Sequence, residues 1–235
     1  MLEHLALSRR NAAPVPPNFA VPLRRSAPAR PVRRPSSRGP GFPVYLVEPE
    51  RASRLALVRD LTSAGFAARP FATPDELNAA LADLPPGCVV MDVASASAAE
   101  KDRIVGLPTI LIYASLDAVD AVAAVRLGAV DLLHRPVSLP DLLSALDRAA
   151  PKVRAVAVRD AALRAKAAVD TLTPREREVM ECMMEGLANK EIARLLGLSP
   201  RTIEMHRARL HRRLSVTSLT ELLAIAFRAR DAEYF

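Results

Sequence analysis

Residues 172–214 have the sequence LTPREREVMECMMEGLANKEIARLLGLSPRTIEMHRARLHRRL, and this pattern predicts three consecutive helices. The first is expected to begin at the capping box of residues 173–176, which has proline in its first turn, and to end at Gly186. A short second helix is expected over residues 189–197, and Ser199 is the predicted N-cap of the third. Two short helices, a glycine turn and a basic third helix are typical of the helix-turn-helix motif.

The third helix of this motif is expected to be amphipathic. Ile203, Leu210 and Leu214 recur on one side at about 3.6 residues per turn, which predicts that they face the core. The basic opposite face could be only solvated, but the preceding helix and turn favour its entry into a DNA major groove. The residues predicted to bind DNA are Asn189, Lys190, Arg201, Thr202, Glu204, Met205, His206, Ala208, Arg209, Arg212 and Arg213.

Side-chain chemistry divides these candidates by expected role. Arg201 and Arg209 can contact guanine or phosphate, and Glu204 can accept a hydrogen bond from cytosine N4. Met205 and Ala208 can pack against the methyl group of thymine. The residues expected to contact phosphates, and so to position the helix without reading sequence, are Lys190, Thr202, Arg212 and Arg213.

The net charge of +7 is unevenly distributed along the 235 residues. Residues 1–40 contain eight arginines and eight prolines, which predicts a disordered basic tail. Such a tail could add non-specific affinity for phosphate, or be a solvated segment without function, or follow from a start codon placed too far upstream. Residues 41–150 have a net charge of −5, whereas residues 151–170 and 171–235 carry +3 and +2. An acidic middle beside basic flanks suggests that part of the molecule binds a polyanion.

Residues 42–150 alternate short apolar runs with amphipathic segments. This alternation predicts an α/β domain in which a parallel sheet is covered on both faces, with the flavodoxin-like strand order 2-1-3-4-5. The predicted strands are residues 44–47, 66–71, 88–91, 109–113 and 129–133. The predicted helices cover residues 52–64, a segment beginning at Thr73, a segment through Ala121 ending at Gly128, and a segment beginning at Ser138.

Three carboxylates follow predicted strands in this domain. Glu48 and Glu50 follow the first strand and Asp92 follows the third, so they are expected to converge at the carboxyl ends of the strands. Clustered carboxylates suit a hard divalent cation such as Mg²⁺, held by Glu48 and Asp92, and an aspartate that accepts a phosphoryl group. The alternative is that acidic residues follow these strands only because strand ends are exposed to solvent.

Three further features complete the expected organisation. Residues 151–170 are rich in alanine and favour a helical linker, and Ser218 is expected to cap a final helix. Cys88 and Cys182 lie in apolar segments, which favours buried thiols in a reducing, cytoplasmic compartment. No run of roughly 18 or more apolar residues occurs, which predicts no membrane span. His4, His134, His206 and His211 have no metal-binding spacing, and no enzymatic constellation is recognised.

Both folded parts resemble one known family. Residues 42–150 resemble a response-regulator receiver domain through the segments VYLVEPE, CVVMDV, TILIYAS and RLGAVDLLHRPVS. Residues 171–235 resemble a LuxR/FixJ-type DNA-binding domain of four helices. The residues that match its NKxIAxxLxxSxxTVxxH pattern, with Ile for Val, are Asn189, Lys190, Ile192, Ala193, Leu196, Ser199, Thr202, Ile203 and His206.

The resemblance also implies roles and exposes departures from the receiver pattern. Asp92 falls at the family's phosphoacceptor position, and Ala114 or Ser115 at its switch hydroxyl. Pro49 replaces the second residue of the family's acidic pair, and Arg135 replaces its lysine. The positions compared with the family's receiver pocket are Glu48, Glu50, Ser115 and Arg135. Leu132 replaces the family's aromatic switch residue, and the loop after Asp92 lacks the Met-Pro-x-x-x-Gly stretch.

The expected function is that of a cytoplasmic, homodimeric regulator that binds specific double-stranded DNA. Its atypical receiver is expected to collect a signal without phosphorylation. The alternatives are phosphorylation on Asp92, a receiver that sequesters a partner with little DNA binding, or a general nucleic-acid binder driven by the tail. Beyond DNA, the partners considered are a second copy of the chain, a sensor histidine kinase and RNA polymerase, with no membrane partner.

Overall fold

The computed structural model describes residues 41–92, 106–115 and 128–234. Within them a five-stranded parallel sheet has the order β2-β1-β3-β4-β5. The predicted order 2-1-3-4-5 is confirmed. The strands are β1 (Val44–Val47), β2 (Ala68–Phe71), β3 (Cys88–Asp92), β4 (Thr109–Tyr113) and β5 (Asp131–His134). The predicted tail over residues 1–40, the loop after Asp92 and the helix through Ala121 lie outside the described residues.

The helices begin at the residues whose side chains can cap them. Glu50, Thr73, Ser138, Thr173, Ser199 and Ser218 each accept a hydrogen bond from a backbone N–H of the helix that follows. The helices are α1 (Arg51–Ser63), α2 (Pro74–Ala80), α3 (Leu139–Asp170), α4 (Pro174–Met184), α5 (Asn189–Leu196), α6 (Pro200–Arg213) and α7 (Leu219–Asp231). None of the helices described has both the length and the apolarity needed to cross a lipid bilayer.

The sheet buries both of its faces, as its continuous apolar strands require. On one face, alternate strand residues such as Leu46 and Val90 pack with Leu61 of α1 and Leu142 of α3. On the other face the intervening residues pack with Leu77 of α2. Every residue of β1 and β3 is buried, so these two central strands fix where their carboxyl ends emerge.

A second core lies among the helices that follow the sheet. Ile192 of α5 and Ile203, Leu210 and Leu214 of α6 and its cap are buried there with Leu222 of α7. The core-facing residues predicted for the third helix of the motif are therefore confirmed. Gly197 has a positive φ of 64°, which lets the chain turn from α5 to α6 without the steric cost that a side chain would incur.

Several predicted boundaries were wrong. Residues 151–170 are helical, as predicted, and they continue the helix that begins after Ser138, because α3 runs without a break over its 32 residues and includes Pro151. Its first half packs on the sheet and its last turns enter the helical core, so tertiary packing at both ends supports one helix. β5 begins two residues later than predicted, at Asp131, and Asp92 ends β3 instead of following it.

Candidate functional site

Helix α6 presents a polar surface because its apolar side is held in the helical core. The side chain of Ser199 accepts from the N–H of Thr202, and Pro200 occupies the first turn. Ile203 and Leu210 are fully buried, which fixes the rotation of the helix about its axis. The opposite side is exposed along its whole length, at Arg201, Glu204, Met205, Ala208, Arg209 and Arg212. This is the rotation predicted from the sequence.

The exposed surface of α6 has a mixed chemistry that suits base edges. Met205 is 44% exposed although its side chain is large and apolar. It lies between an acid, Glu204, and the arginines at 201, 209 and 212, all of which are exposed. The surface therefore offers donors, an acceptor and an apolar contact within four turns of helix, the groups that can read base edges.

Residues on the flanks of α6 are partly engaged within the protein. Asn189, at the start of α5, accepts a hydrogen bond of 2.7 Å from the guanidinium of Arg207, while Lys190 beside it is exposed. His206 is half-buried, and its Nδ1 is a buried atom with no hydrogen-bond partner among the described residues. Asn189 and His206 thus border the exposed face and are not on it.

Arg213, which is predicted to contact phosphate, also makes contacts within the protein. Its guanidinium donates a hydrogen bond of 2.6 Å to the carbonyl of Thr171 and lies 3.6 Å from the carboxylate of Glu176. These contacts join the end of α6 to the turn between α3 and α4. These contacts give Arg213 a structural role that the sequence did not indicate, because a sequence pattern cannot show which carbonyls lie near a helix end. Its side chain remains 46% exposed, and the phosphate contact stays a prediction.

The buried carboxylates predicted to converge do so around an arginine. Glu48 follows β1 and Asp92 ends β3, and their side chains are only 3% and 12% exposed. Arg135, directly after β5, donates to Asp92 through Nε at 2.8 Å and through Nη2 at 2.5 Å. The same Nη2 forms an ion pair with Glu48, and Nη1 lies 3.3 Å from the hydroxyl of Ser53. We call Glu48, Asp92 and Arg135 the crevice triad.

The protonation of Arg135 is secured by this arrangement. Burial of the guanidinium lowers its pKa, but the hydrogen bonds and charges of Glu48 and Asp92 outweigh that effect and the pKa is raised. Arg135 therefore remains a cation.

Glu50 does not join the crevice triad, so that part of the prediction was wrong. Its carboxylate accepts from the N–H groups of Ala52 and Ser53 and caps α1. A carboxylate at a helix N-terminus also interacts favourably with the helix dipole, so both effects favour the position of Glu50 at the cap of α1. Ser115 lies in an exposed bend just after β4.

Arg54 is a crevice residue that sequence reasoning did not identify. Its guanidinium donates to the carbonyls of Glu48 and Pro49 at 2.5 and 3.0 Å. It therefore holds the turn between β1 and α1 from the side of the helix. Its place one turn into a helix that starts at the crevice is the only signal that the sequence offers.

The crevice residues do not fit Mg²⁺. This ion requires nearly octahedral oxygen ligands at about 2.0–2.1 Å. Pro49 supplies no side-chain oxygen, and the guanidinium of Arg135 lies between the two carboxylates that would bind the ion. No group of three or more candidate ligands occurs among the residues that the structure describes.

A sheet of this order with an acidic crevice, followed by a helix-turn-helix unit, defines the class of response-regulator DNA-binding proteins. Residues 170–226 match the family described as bacterial regulatory proteins of the luxR family. The FixJ transcriptional regulatory protein of Bradyrhizobium diazoefficiens is 37% identical over 198 residues, covering 79% of this chain and 95% of that protein. FixJ of Rhizobium meliloti is 34% identical over 193 residues, with coverages of 79% and 95%.

A solved structure agrees with these relatives. The response regulator StyR has a TM-score of 0.51 and 27% identity, covering 80% of this chain and 99% of that one. The chain belongs to the FixJ-type response regulators with a LuxR-family DNA-binding domain, and it is a DNA-binding transcriptional regulator of a two-component system.

Proposed function

We propose that the chain binds specific double-stranded DNA by placing α6 in the major groove, as a homodimer in the cytoplasm. The observation that carries this proposal is the fully exposed outer side of α6, where Glu204 and Met205 lie among arginines. Arginine can pair with guanine, glutamate can accept from cytosine, and an apolar side chain can contact the thymine methyl.

Selection from a random library of DNA duplexes tests this function directly. The wild type is expected to enrich a motif of two half-sites related by two-fold symmetry, about 10–10.5 base pairs or a multiple of that apart. Arg209→Ala is expected to lose or alter the motif, because Arg209 is exposed on α6. The matched control Arg59→Ala removes the same charge from an exposed position of α1 and should keep the motif. Enrichment of no motif by the wild type, or equal loss from both variants, would refute the proposal.

The proposed second copy would use the exposed apolar side of α7. Leu219 and Phe227 are 43% and 39% exposed, and Leu223 between them is half-buried. Residues four apart lie on the same side of a helix, so these three form one stripe. An isologous contact along it would give the two-fold symmetry that paired half-sites need.

A sensor histidine kinase is the proposed upstream partner, because the chain belongs to the response regulators of two-component systems. RNA polymerase is the proposed downstream partner, because the chain is a transcriptional regulator. The sheet domain would be the input module. Phosphorylation of Asp92 is the second candidate for the input, favoured by its place at the carboxyl end of β3 beside Glu48. A purely sequestering role for the sheet domain leaves the exposed side of α6 without a purpose.

A further inference from the structure

Two carboxylates buried side by side require positive charge. Glu48 and Asp92 lie at the carboxyl ends of adjacent parallel strands, β1 and β3, with side chains 3% and 12% exposed. Mutual repulsion and loss of solvent both disfavour two negative charges at such a place unless a cation compensates them. In an oxygen-lined crevice the compensating cation can be a metal ion or a side chain of the protein itself.

Arg135, which directly follows β5, provides that cation. Nε and Nη2 both donate to Oδ2 of Asp92, and Nη2 also reaches Oε2 of Glu48. One guanidinium therefore bridges both carboxylates, using the planar fork of donors that a lysine ammonium lacks. Arg135 thereby ties the carboxyl end of β5 to those of β1 and β3, although β4 lies between β5 and β3 in the sheet.

A second guanidinium adds to the positive charge at this edge. Arg54 donates to the carbonyls of Glu48 and Pro49, so it lies beside the backbone of the residue whose carboxylate Arg135 binds. Two guanidinium groups thus lie at this edge, that of Arg135 on the two carboxylates and that of Arg54 on backbone carbonyls. The carboxylate of Glu50 caps α1 and makes no ion pair with Arg135 among the described contacts. A divalent cation entering here would be repelled by two fixed positive charges, and the carboxylates that could bind it are already paired with Arg135.

We propose that Arg135 is a built-in replacement for a divalent cation, so that the crevice is neutralised and held together without metal. The guanidinium occupies the place between Glu48 and Asp92 that a metal ion would need, and the fold of the sheet domain is consequently independent of Mg²⁺. Signal input through this domain then cannot use Mg²⁺-assisted phosphoryl transfer to Asp92, so this inference and phosphorylation of Asp92 as the input are mutually exclusive. This inference concerns the crevice alone and is independent of DNA recognition by α6.

The wild-type full-length protein tests the inference without any mutation. Its thermal unfolding is expected to be the same in millimolar MgCl₂ and in EDTA, because a ligand raises the melting temperature only by binding the folded state better than the unfolded state. Electron paramagnetic resonance of added Mn²⁺ should show only the free ion. Acetyl phosphate with MgCl₂ should leave the protein unlabelled under conditions that label an ordinary receiver. Specific binding of Mn²⁺, or labelling of the wild type that Asp92→Asn abolishes, would overturn the inference.

Arg135→Gln is the complementary variant, because it leaves both buried carboxylates without their guanidinium. The melting temperature of its sheet domain is expected to fall by about 10 °C and to recover on addition of Mg²⁺. The matched control Arg148→Gln removes the same charge from the more exposed pair with Asp131, whose side chains are 55% and 22% exposed. The control should shift little and show no response to Mg²⁺.

A further variant keeps the test decisive if Arg135→Gln does not fold. Glu48→Gln combined with Arg135→Gln removes one carboxylate together with the guanidinium, and it is expected to fold and to be insensitive to Mg²⁺. If this double variant is as unstable as Arg135→Gln, the cost comes from lost packing of Arg135 and not from uncompensated charge, and the inference fails. DNA binding measured on the same samples separates failure here from failure of the proposed function.

Discussion

Individual side chains on α6 are divided by geometry into those that can reach bases and those that can only anchor. Glu204 and Met205 point outward in the N-terminal half of the helix, the half that enters the groove in helix-turn-helix proteins. Arg212 is exposed near the C-terminal end, where a phosphate is the expected partner. Arg213, its neighbour, instead binds Thr171 and Glu176 within the protein.

This division predicts different results for Glu204→Ala and Arg212→Ala. The first is expected to change which sequences are bound, with a cost of about 1–3 kcal/mol on the preferred site, because it removes a base acceptor. The second is expected to weaken binding to all sequences about equally. It should also reduce the magnitude of the slope of log affinity against log salt concentration by about 1, the value for one phosphate contact. Binding isotherms over a panel of duplexes at several salt concentrations measure both effects. Equal losses across the panel from both variants would contradict the division.

At the scale of elements, the start of α4 is stabilised by a reciprocal capping box. The hydroxyl of Thr173 accepts from the N–H of Glu176, and the carboxylate of Glu176 accepts from the N–H and the hydroxyl of Thr173. Arg213 adds its charge from the end of α6. The box and Arg213 therefore join the start of α4 to the end of α6, and Arg213 also reaches the residue that follows α3.

Thr173→Ala is expected to lower the free energy of unfolding of the helical part by about 1 kcal/mol, because one N–H of the first turn loses its acceptor. Chemical denaturation followed by circular dichroism measures this. Thr62→Ala is the matched control, since its hydroxyl bonds back to the carbonyl of Val58 on an exposed stretch of α1. We expect the control to change stability by less than about 0.5 kcal/mol. If both substitutions lowered the free energy of unfolding by a similar amount, the loss could not be attributed to the capping hydrogen bond of Thr173.

The carboxylate of Glu176 in this capping box makes the stability of the protein depend on pH, and the direction of that dependence follows from its pKa. The N–H of Thr173 is the largest influence on Glu176 and holds its pKa below the ordinary 4.5, although burial opposes this. The carboxylate therefore contributes stability above pH 4.5, and that contribution is lost as the pH falls through the lowered pKa. The difference in unfolding free energy between the wild type and Glu176→Gln should shrink as the solution is acidified. A constant difference with pH would contradict this assignment.

For the whole molecule, the long helix α3 is the connection between the sheet and the DNA-binding helices. It buries Leu142 and Leu146 against the sheet and Ala165 and Val169 among the helices, with no break between them. Between Val153 and Ala162 it buries no residue.

The stripe on α7 predicts the oligomeric state of the whole molecule. Phe227→Asp is expected to convert the proposed dimer into a monomer and to lower affinity for two-half-site DNA more than for a single half-site, because the second half-site then binds independently. Light scattering after size exclusion and binding isotherms measure these effects. Leu55→Asp changes an apolar residue of α1 that is 56% exposed and serves as the control. A Phe227→Asp protein that remains dimeric would exclude α7 as the interface.

Local patterns in the sequence determined most of the architecture. The apolar runs of β1 and β4 had the boundaries that the structure has, because central strands of a parallel sheet are continuously apolar. The caps at Thr173, Ser199 and Ser218 lie where the sequence placed them, because capping is a contact over three residues. The outward face of α6 followed from its periodicity, because Ile203 and Leu210 must face the core.

Only the tertiary structure decided which distant groups meet. That Arg135 bridges Glu48 and Asp92 depends on the order of strands separated by more than 40 residues in the chain, and no local pattern contains such a contact. The structure likewise shows Glu50 capping α1 and Arg213 donating to the carbonyl of Thr171, and neither contact follows from the local sequence. Residue types and periodicity specify elements and faces, whereas the pairing of charges is set by the packing that brings those elements together.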